Sequence, residues 1–90
     1  MMLEVIFTRR FKKDLKKLKS SKRNEDDLIQ IIEIIANHRE LPLQARDHVL
    51  IGNYAGCREC HIAPDWLLIY QVTDMELILL RTGSHSELFS

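Results

Sequence analysis

Three histidines, an aspartate and an arginine in the second half of this 90-residue chain are of the types that move protons and hold phosphates. His48, His61 and His85 fall outside the stretches that read as helices, Asp65 follows a proline, and Arg81 ends an apolar run. An imidazole with its ordinary pKa of about 6.5 can accept or give a proton near neutrality. Beside a basic surface, and without a metal or cofactor, the reaction that uses such groups most naturally is cleavage of RNA. A base takes the proton of a ribose 2′-hydroxyl, that oxygen attacks the neighbouring phosphate, an acid protonates the departing 5′-oxygen, and a cation steadies the developing charge. Arg81 is the candidate cation. Taken singly, each residue has an ordinary structural reading. A strand histidine is commonly a satisfied surface group, and aspartate after proline is a common turn residue.

The elements that must position these groups can be read from the apolar pattern. Residues 58–62, 66–72 and 76–82 read as three strands, separated by turns at Ala63-Pro64-Asp65 and Thr73-Asp74. Alternation puts Glu59 and His61 on one face of their strand and Cys60 and Ile62 on the other. Residues 84–89 suit a brief terminal helix or turn. Upstream, residues 3–7 fit a first strand and Thr8 can cap the helix that follows, in which Phe11, Leu15 and Leu18 recur at helical spacing. A second helix carries the stripe Leu28, Ile31, Ile32 and Ile35. Asn24 followed by Asp27 resembles its capping box, His38 and Arg39 fall in its last turn, and Pro42 closes it. Residues 41–56 show no period and read as a long loop with a short strand near His48, and loops of that length are often functional. The order β-α-α-β-β-β predicts an α+β fold: a small twisted antiparallel sheet with two N-terminal helices packed on one face, in a single domain over residues 1–90.

Composition sets bounds on partners. An apolar fraction of 46% and a charged fraction of 29% are those of a globular domain, and no segment approaches membrane-spanning length. Met1 to Glu4 carry no charged leader followed by a long apolar run, so a cytoplasmic location is expected. The formal net charge is zero, yet nine of the thirteen basic residues lie between Arg9 and Arg23 against Asp14 as the sole acid, enough to create a local positive field. Cys57 and Cys60 form a C-x-x-C, but in a strand such residues point to opposite faces. The spacing therefore favours two unrelated small residues over a redox pair or half a zinc site completed by His48 and His61.

Three series of residues, D-H-x-L-x-G around His48, R-E-C-H-I-A-P-D-W-L-L-I-Y around His61 and Asp65, and L-L-R-T-G-S-H-S-E-L-F at the end, resemble the RelE superfamily of bacterial toxins, specifically its YafQ-like branch. The resemblance runs from the basic helix to the C-terminus. It implies a ribosome-dependent endoribonuclease of a type II toxin-antitoxin pair that cuts messenger RNA in the ribosomal A site and is silenced by a cognate antitoxin protein. It also implies catalytic roles for His48, His61, Asp65, Arg81 and His85, with His85 as general acid and the base among His48, His61 and Asp65. Phe89 would stack on a base. Lys12, Lys13, Lys16, Lys17 and Lys19 on the basic helix would contact ribosomal RNA, and Arg58 is a further candidate for RNA. Val49, Ile51, Tyr54 and Cys57 depart from the family pattern, which bears on substrate affinity more than on reaction class.

The rival reading is a non-catalytic binding module of the same fold, acting on a protein or nucleic-acid partner. It gains if the five residues do not converge on one surface. The strands are apolar on both faces, and one helical layer does not cover both, so an antitoxin segment is expected over part of the remaining apolar surface.

Overall fold

The computed structural model describes residues 1–89, with Asn53 described by its backbone alone. Strand β1 (Glu4–Phe7) leads into α1 (Arg9–Leu18) and α2 (Glu25–Ala36). After a long loop come β2 (His48–Val49), β3 (Arg58–Ala63), β4 (Trp66–Val72) and β5 (Glu76–Gly83), and then the short helix α3 (His85–Phe89). One sheet of order β1-β5-β4-β3-β2 holds all five strands.

Thr8 is extended and its Oγ1 accepts the Phe11 N–H at 3.2 Å, which starts α1 as expected. Phe11, Asp14 and Leu18 are the buried positions of that helix, with every lysine turned outward. At α2 the cap differs from the expected box. Asn24 Oδ1 accepts from Asp26 N at 2.9 Å, while the Asp27 N–H goes to the Asn24 carbonyl. The helix also stops earlier than its charges suggest. Asn37 caps it, His38 turns left-handed at φ 58°, and the His38 and Arg39 N–H groups close back on Ile35 and Ile34. This is a 6→1, 5→2 closure with histidine where glycine is usual. His38 and Arg39 thus lie beyond the helix, and Pro42 opens a separate turn at Leu43–Ala45 instead of ending α2.

The pairs β2–β3, β3–β4 and β4–β5 are antiparallel, as expected. The first strand instead joins β5 in parallel, Glu4 opposite Glu76 through Phe7 opposite Leu79, so the sheet is mixed. Parallel neighbours need a crossover, and the two helices between β1 and the rest of the sheet supply it.

Both faces of the sheet are covered by the chain itself. Under the helices, Cys60, Trp66, Leu68, Tyr70, Leu77 and Leu79 pack with Phe11, Leu18, Leu28 and Ile35. On the other face Leu67 and Ile69 are 0% exposed beneath Leu88 of α3, with Leu50, Tyr54, Cys57 and Leu80 around them. The apolar surface expected to await an antitoxin on the sheet is therefore filled by the loop before β3 and by α3. No helix among the described residues is long and apolar enough to cross a membrane.

Candidate active site

Cross-strand partners share a face, so the register shows which side chains meet. His48 lies opposite Glu59, Glu59 opposite Ile69, and Ile69 opposite Arg81, forming one row across four strands. The next row is His61, Leu67 and Gly83. His48, His61 and Arg81 therefore stand on the face away from the α1–α2 layer. Plain alternation would have put Arg81 with Leu77 and Leu79 beneath the helices. A register shift between Ile69 and Tyr70 adds Leu80 to β5 and re-aims Arg81, a use of bulges that recurs beside active sites.

Helix α3 brings in His85. Ser84 N donates to Glu87 Oε1 at 2.7 Å and Glu87 N donates to Ser84 Oγ at 3.2 Å, a reciprocal capping box that the S-H-S-E spacing could have revealed. The Ser84 N–H holds the Glu87 carboxyl below its ordinary range, with Arg23 adding at 3.4 Å. Asp65, in the β3–β4 turn, accepts both the His85 backbone N–H at 3.1 Å and the ring Nδ1 at 3.3 Å, and these bonds, backbone first, lower its pKa. A carboxylate only accepts, so Nδ1 carries the proton and Nε2 is the ring nitrogen left for a substrate. The His61 ring is 5.9 Å from the His85 ring, Phe89 is 6.0 Å from His85, and Tyr54 meets Phe89 edge-on at 5.8 Å. The expected residues from both ends of the last third thus form one contiguous surface.

His48 is held from both sides. Its Nδ1 bonds the Arg46 carbonyl at 2.7 Å and its Nε2 meets Glu59 Oε2 at 2.8 Å. Glu59 is buried and its other carboxylate oxygen has no partner among the described residues. The adjacent Asp47 points to the opposite face, where it receives Tyr70 Oη at 2.5 Å and two nitrogens of Arg58 at 2.9 to 3.3 Å. Burial, with Asp47 adding, pushes the Tyr70 phenol well above its usual range, and the Asp47 hydrogen bond raises Arg58. The Asp-His pair is therefore a pin followed by a presented imidazole. Arg58, expected at RNA, is taken up in that pin on the helix-side face, apart from the histidines.

Arg81 is clamped as well. Nε donates to Asp14 Oδ2 at 2.8 Å, Nη2 to Asp14 Oδ1 at 3.3 Å, and Nη1 to the Tyr54 hydroxyl at 3.4 Å. Asp14 also accepts the Thr82 N–H at 3.0 Å, satisfying β5 where β1 has already ended. The pair is buried, and the Asp14 hydrogen bond raises the Arg81 pKa. Asp14, Asp47, Tyr54, Glu59 and Glu87 were not among the expected site residues. The sequence offered faint signals for three: Asp14 is the one acid in the basic helix, Glu59 alternates onto the His61 face, and Glu87 stands at capping-box spacing from Ser84. Lys12, Lys13, Lys16 and Lys17 are exposed on α1, the helix that lies along β5, and Lys19 is exposed as its C-cap.

An α+β fold with helices on one side of a mixed sheet and acid–base residues on the other defines a RelE-like toxin. Residues 3–90 match the family described as bacterial toxin of type II toxin-antitoxin system, YafQ, and the chain belongs to that family. It is 35% identical over 88 residues to the mRNA interferase toxin YafQ of Escherichia coli K12, covering 96% of this chain and 95% of that one. The E. coli DinJ-YafQ toxin-antitoxin complex contains a chain that matches over 100% of both lengths at 32% identity, with a TM-score of 0.91. A metal-bound toxin from Helicobacter pylori matches 98% of this chain and 100% of its own at 39% identity, with a TM-score of 0.91. The chain is thus a homologue of mRNA interferase toxins.

Metal ligation finds no donor set here. Among the described residues no three His, Cys, Asp or Glu side chains are grouped to hold an ion. Cys60 packs in the helix-side core, its thiol pushed up to about 12 by burial, while Cys57 packs against the other core.

Proposed function

We propose that this toxin is a ribosome-dependent endoribonuclease that cuts messenger RNA in the A site by 2′-hydroxyl attack. The observation that carries the reading is the His61–His85 pair, two imidazoles 5.9 Å apart with Asp65 fixing the orientation of one of them. At that spacing one phosphodiester can touch both rings. His85 is the acid, giving a proton from Nε2 to the departing 5′-oxygen. Among the three candidate bases, Asp65 is committed to His85, and His48 has an acceptor at each nitrogen. His61 is the candidate with a ring free of hydrogen bonds among the described residues, so it takes the 2′-proton. Asp65 orients the acid, and His48 braces the β2 end of the face through Glu59.

Arg81 contributes charge at a fixed place, with Nη1 as the nitrogen turned away from Asp14. Phe89, packed between His85 and Tyr54, offers its ring to a base of the message. The exposed lysines of α1 contact ribosomal RNA by charge, without reading sequence. The relative solved with DinJ supports a cognate antitoxin as the protein that silences this chain. Action on ribosomes places the toxin in the cytoplasm.

Primer extension on a message translated in a purified system tests the reading. Wild-type protein should produce cuts within the A-site codon, and His85→Ala should abolish them. Intact message on programmed ribosomes with folded wild-type protein sinks it in favour of a binding module.

A further inference from the structure

Of the four arginines Arg23, Arg46, Arg58 and Arg81, three are committed. Arg81 is bound by Asp14, Arg58 by Asp47 and Arg23 by Glu87. Arg46 makes no ion pair among the described residues and is exposed. It lines an open groove of about 530 Å³ with Ile31, Pro42, Gln44, His61, Ile62 and Pro64, so an uncommitted arginine and a histidine of the site border the same space at the β3 edge. That volume is within the roughly 300–1,000 Å³ range of small-ligand sites. The groove exists because β2 pairs β3 only at Arg58 and Glu59, leaving the β3 edge beside His61 to the turn at Leu43–Ala45.

Arg46 is also held in an unusual backbone. Its φ of 49° is left-handed, a conformation that L side chains resist, and strain of this kind gathers at functional positions. The turn has two effects here. Its carbonyl receives His48 Nδ1, and the residue itself is placed at the groove.

We propose that Arg46 and this groove bind a backbone phosphate of the message flanking the scissile one, with the attached nucleotide lying along Gln44, Ile62 and Pro64. The inference rests on the endoribonuclease reading and deepens it. Arginine suits the task because its fork makes charge-assisted bonds to phosphate oxygens, and a contact of this kind fixes register without reading sequence. It also explains how a site whose Arg81 is neutralised by Asp14 can grip a polyanion.

Arg46→Gly tests this cleanly, since glycine adopts the left-handed turn without strain and removes only the side chain. Single-codon cleavage on programmed ribosomes should show KM rising roughly tenfold or more, the loss expected for a hydrogen bond to a charged group, with kcat changing far less. The salt dependence of binding should flatten by about one unit of slope, and Arg46→Lys should recover part of the affinity. Ribosomes whose message ends at the P-site codon separate the two sources of phosphate. If Arg46→Gly binds these as wild type does but binds full messages more weakly, the contact is to the message. Equal weakening on both assigns it to ribosomal RNA and overturns the proposal. An unchanged KM overturns it too, as does weaker antitoxin binding with normal cleavage. Failure of wild type to cut at all would strike the underlying reading, and is read separately from any Arg46 effect.

Discussion

The two flanks of the proposed catalytic face are built on opposite principles. Around α3, His85 and Asp65 are wet, with side chains 57% and 69% exposed, and their geometry comes from a capping box and a handful of surface hydrogen bonds. At the β5 end, Arg81 and Asp14 have side chains 12% and 6% exposed and are locked in a two-point ion pair that also satisfies a backbone N–H. A proton carrier must exchange with water on every turnover, so burial would hinder it. A cation that only has to be in place when charge develops gains from being fixed beforehand, since no reorganisation is then needed at the moment of reaction. On the proposed mechanism, exposure and rigidity are divided between the two flanks according to task.

The largest expected effects probe each flank by its own failure mode. His85→Ala should lower single-turnover cleavage roughly 100- to 10,000-fold while leaving the urea midpoint close to wild type, because the ring is exposed and packs little. A large drop in stability would break the contrast. Asp14→Asn should behave in the reverse manner. Removing one charge of a buried pair leaves the other uncompensated, at a cost of about 3–5 kcal/mol, so chemical unfolding should shift strongly. Arg81→Gln in the Asp14→Asn background should recover part of that loss, since no lone buried charge remains. Additive losses in that double variant would mean that the two side chains are not a unit.

The same division explains what the sequence could and could not reveal. Strands, helices, the Thr8 cap and the terminal helix follow from local pattern, and local pattern placed them within a residue or two except at the end of α2, which stops at Ala36, short of His38 and Arg39. The meeting of His61, Asp65 and His85 was legible because residue types and motif spacing carried it. Arg81 was legible as a residue but not as an arrangement. Its face depends on a bulge that breaks alternation, and its partner Asp14 lies 67 positions away. Arg58 read as an RNA contact because charge alone does not reveal that Asp47 and Tyr70 claim it. The parallel docking of β1 and the burial of the second sheet face were likewise tertiary outcomes. Alternation reports that both faces are apolar, and is silent on whether a partner or the chain's own loop covers them.

Smaller effects sharpen the wet flank. Ser84→Ala removes the acceptor for the Glu87 N–H, at a cost typical of an N-cap, about 1 kcal/mol. The loss should be local to α3, appearing as faster amide exchange over residues 85–89 and as weaker cleavage, because the His85 ring loses its fixed starting point.

The finest test is acid. Asp65 and Glu87 both have pKa values lowered in the fold, by the His85 and Ser84 backbone N–H groups first of all. A lowered carboxyl contributes stability that is present above its unfolded pKa, about 3.9 for Asp and 4.3 for Glu, and that contribution disappears as pH falls through the folded value. The hold of α3 on the sheet should therefore be constant from neutrality down to about pH 5 and weaken as pH falls below those two unfolded values toward the lower folded ones. Thermal unfolding of wild type and an Asp65→Asn, Glu87→Gln double variant, measured from pH 7 to 3, should give curves that converge in acid, because protonation removes from wild type what the substitutions removed already. Both carboxylates are too exposed for the gap at pH 7 to be large. A gap that widens in acid would mean that the α3 flank depends on some other titrating group.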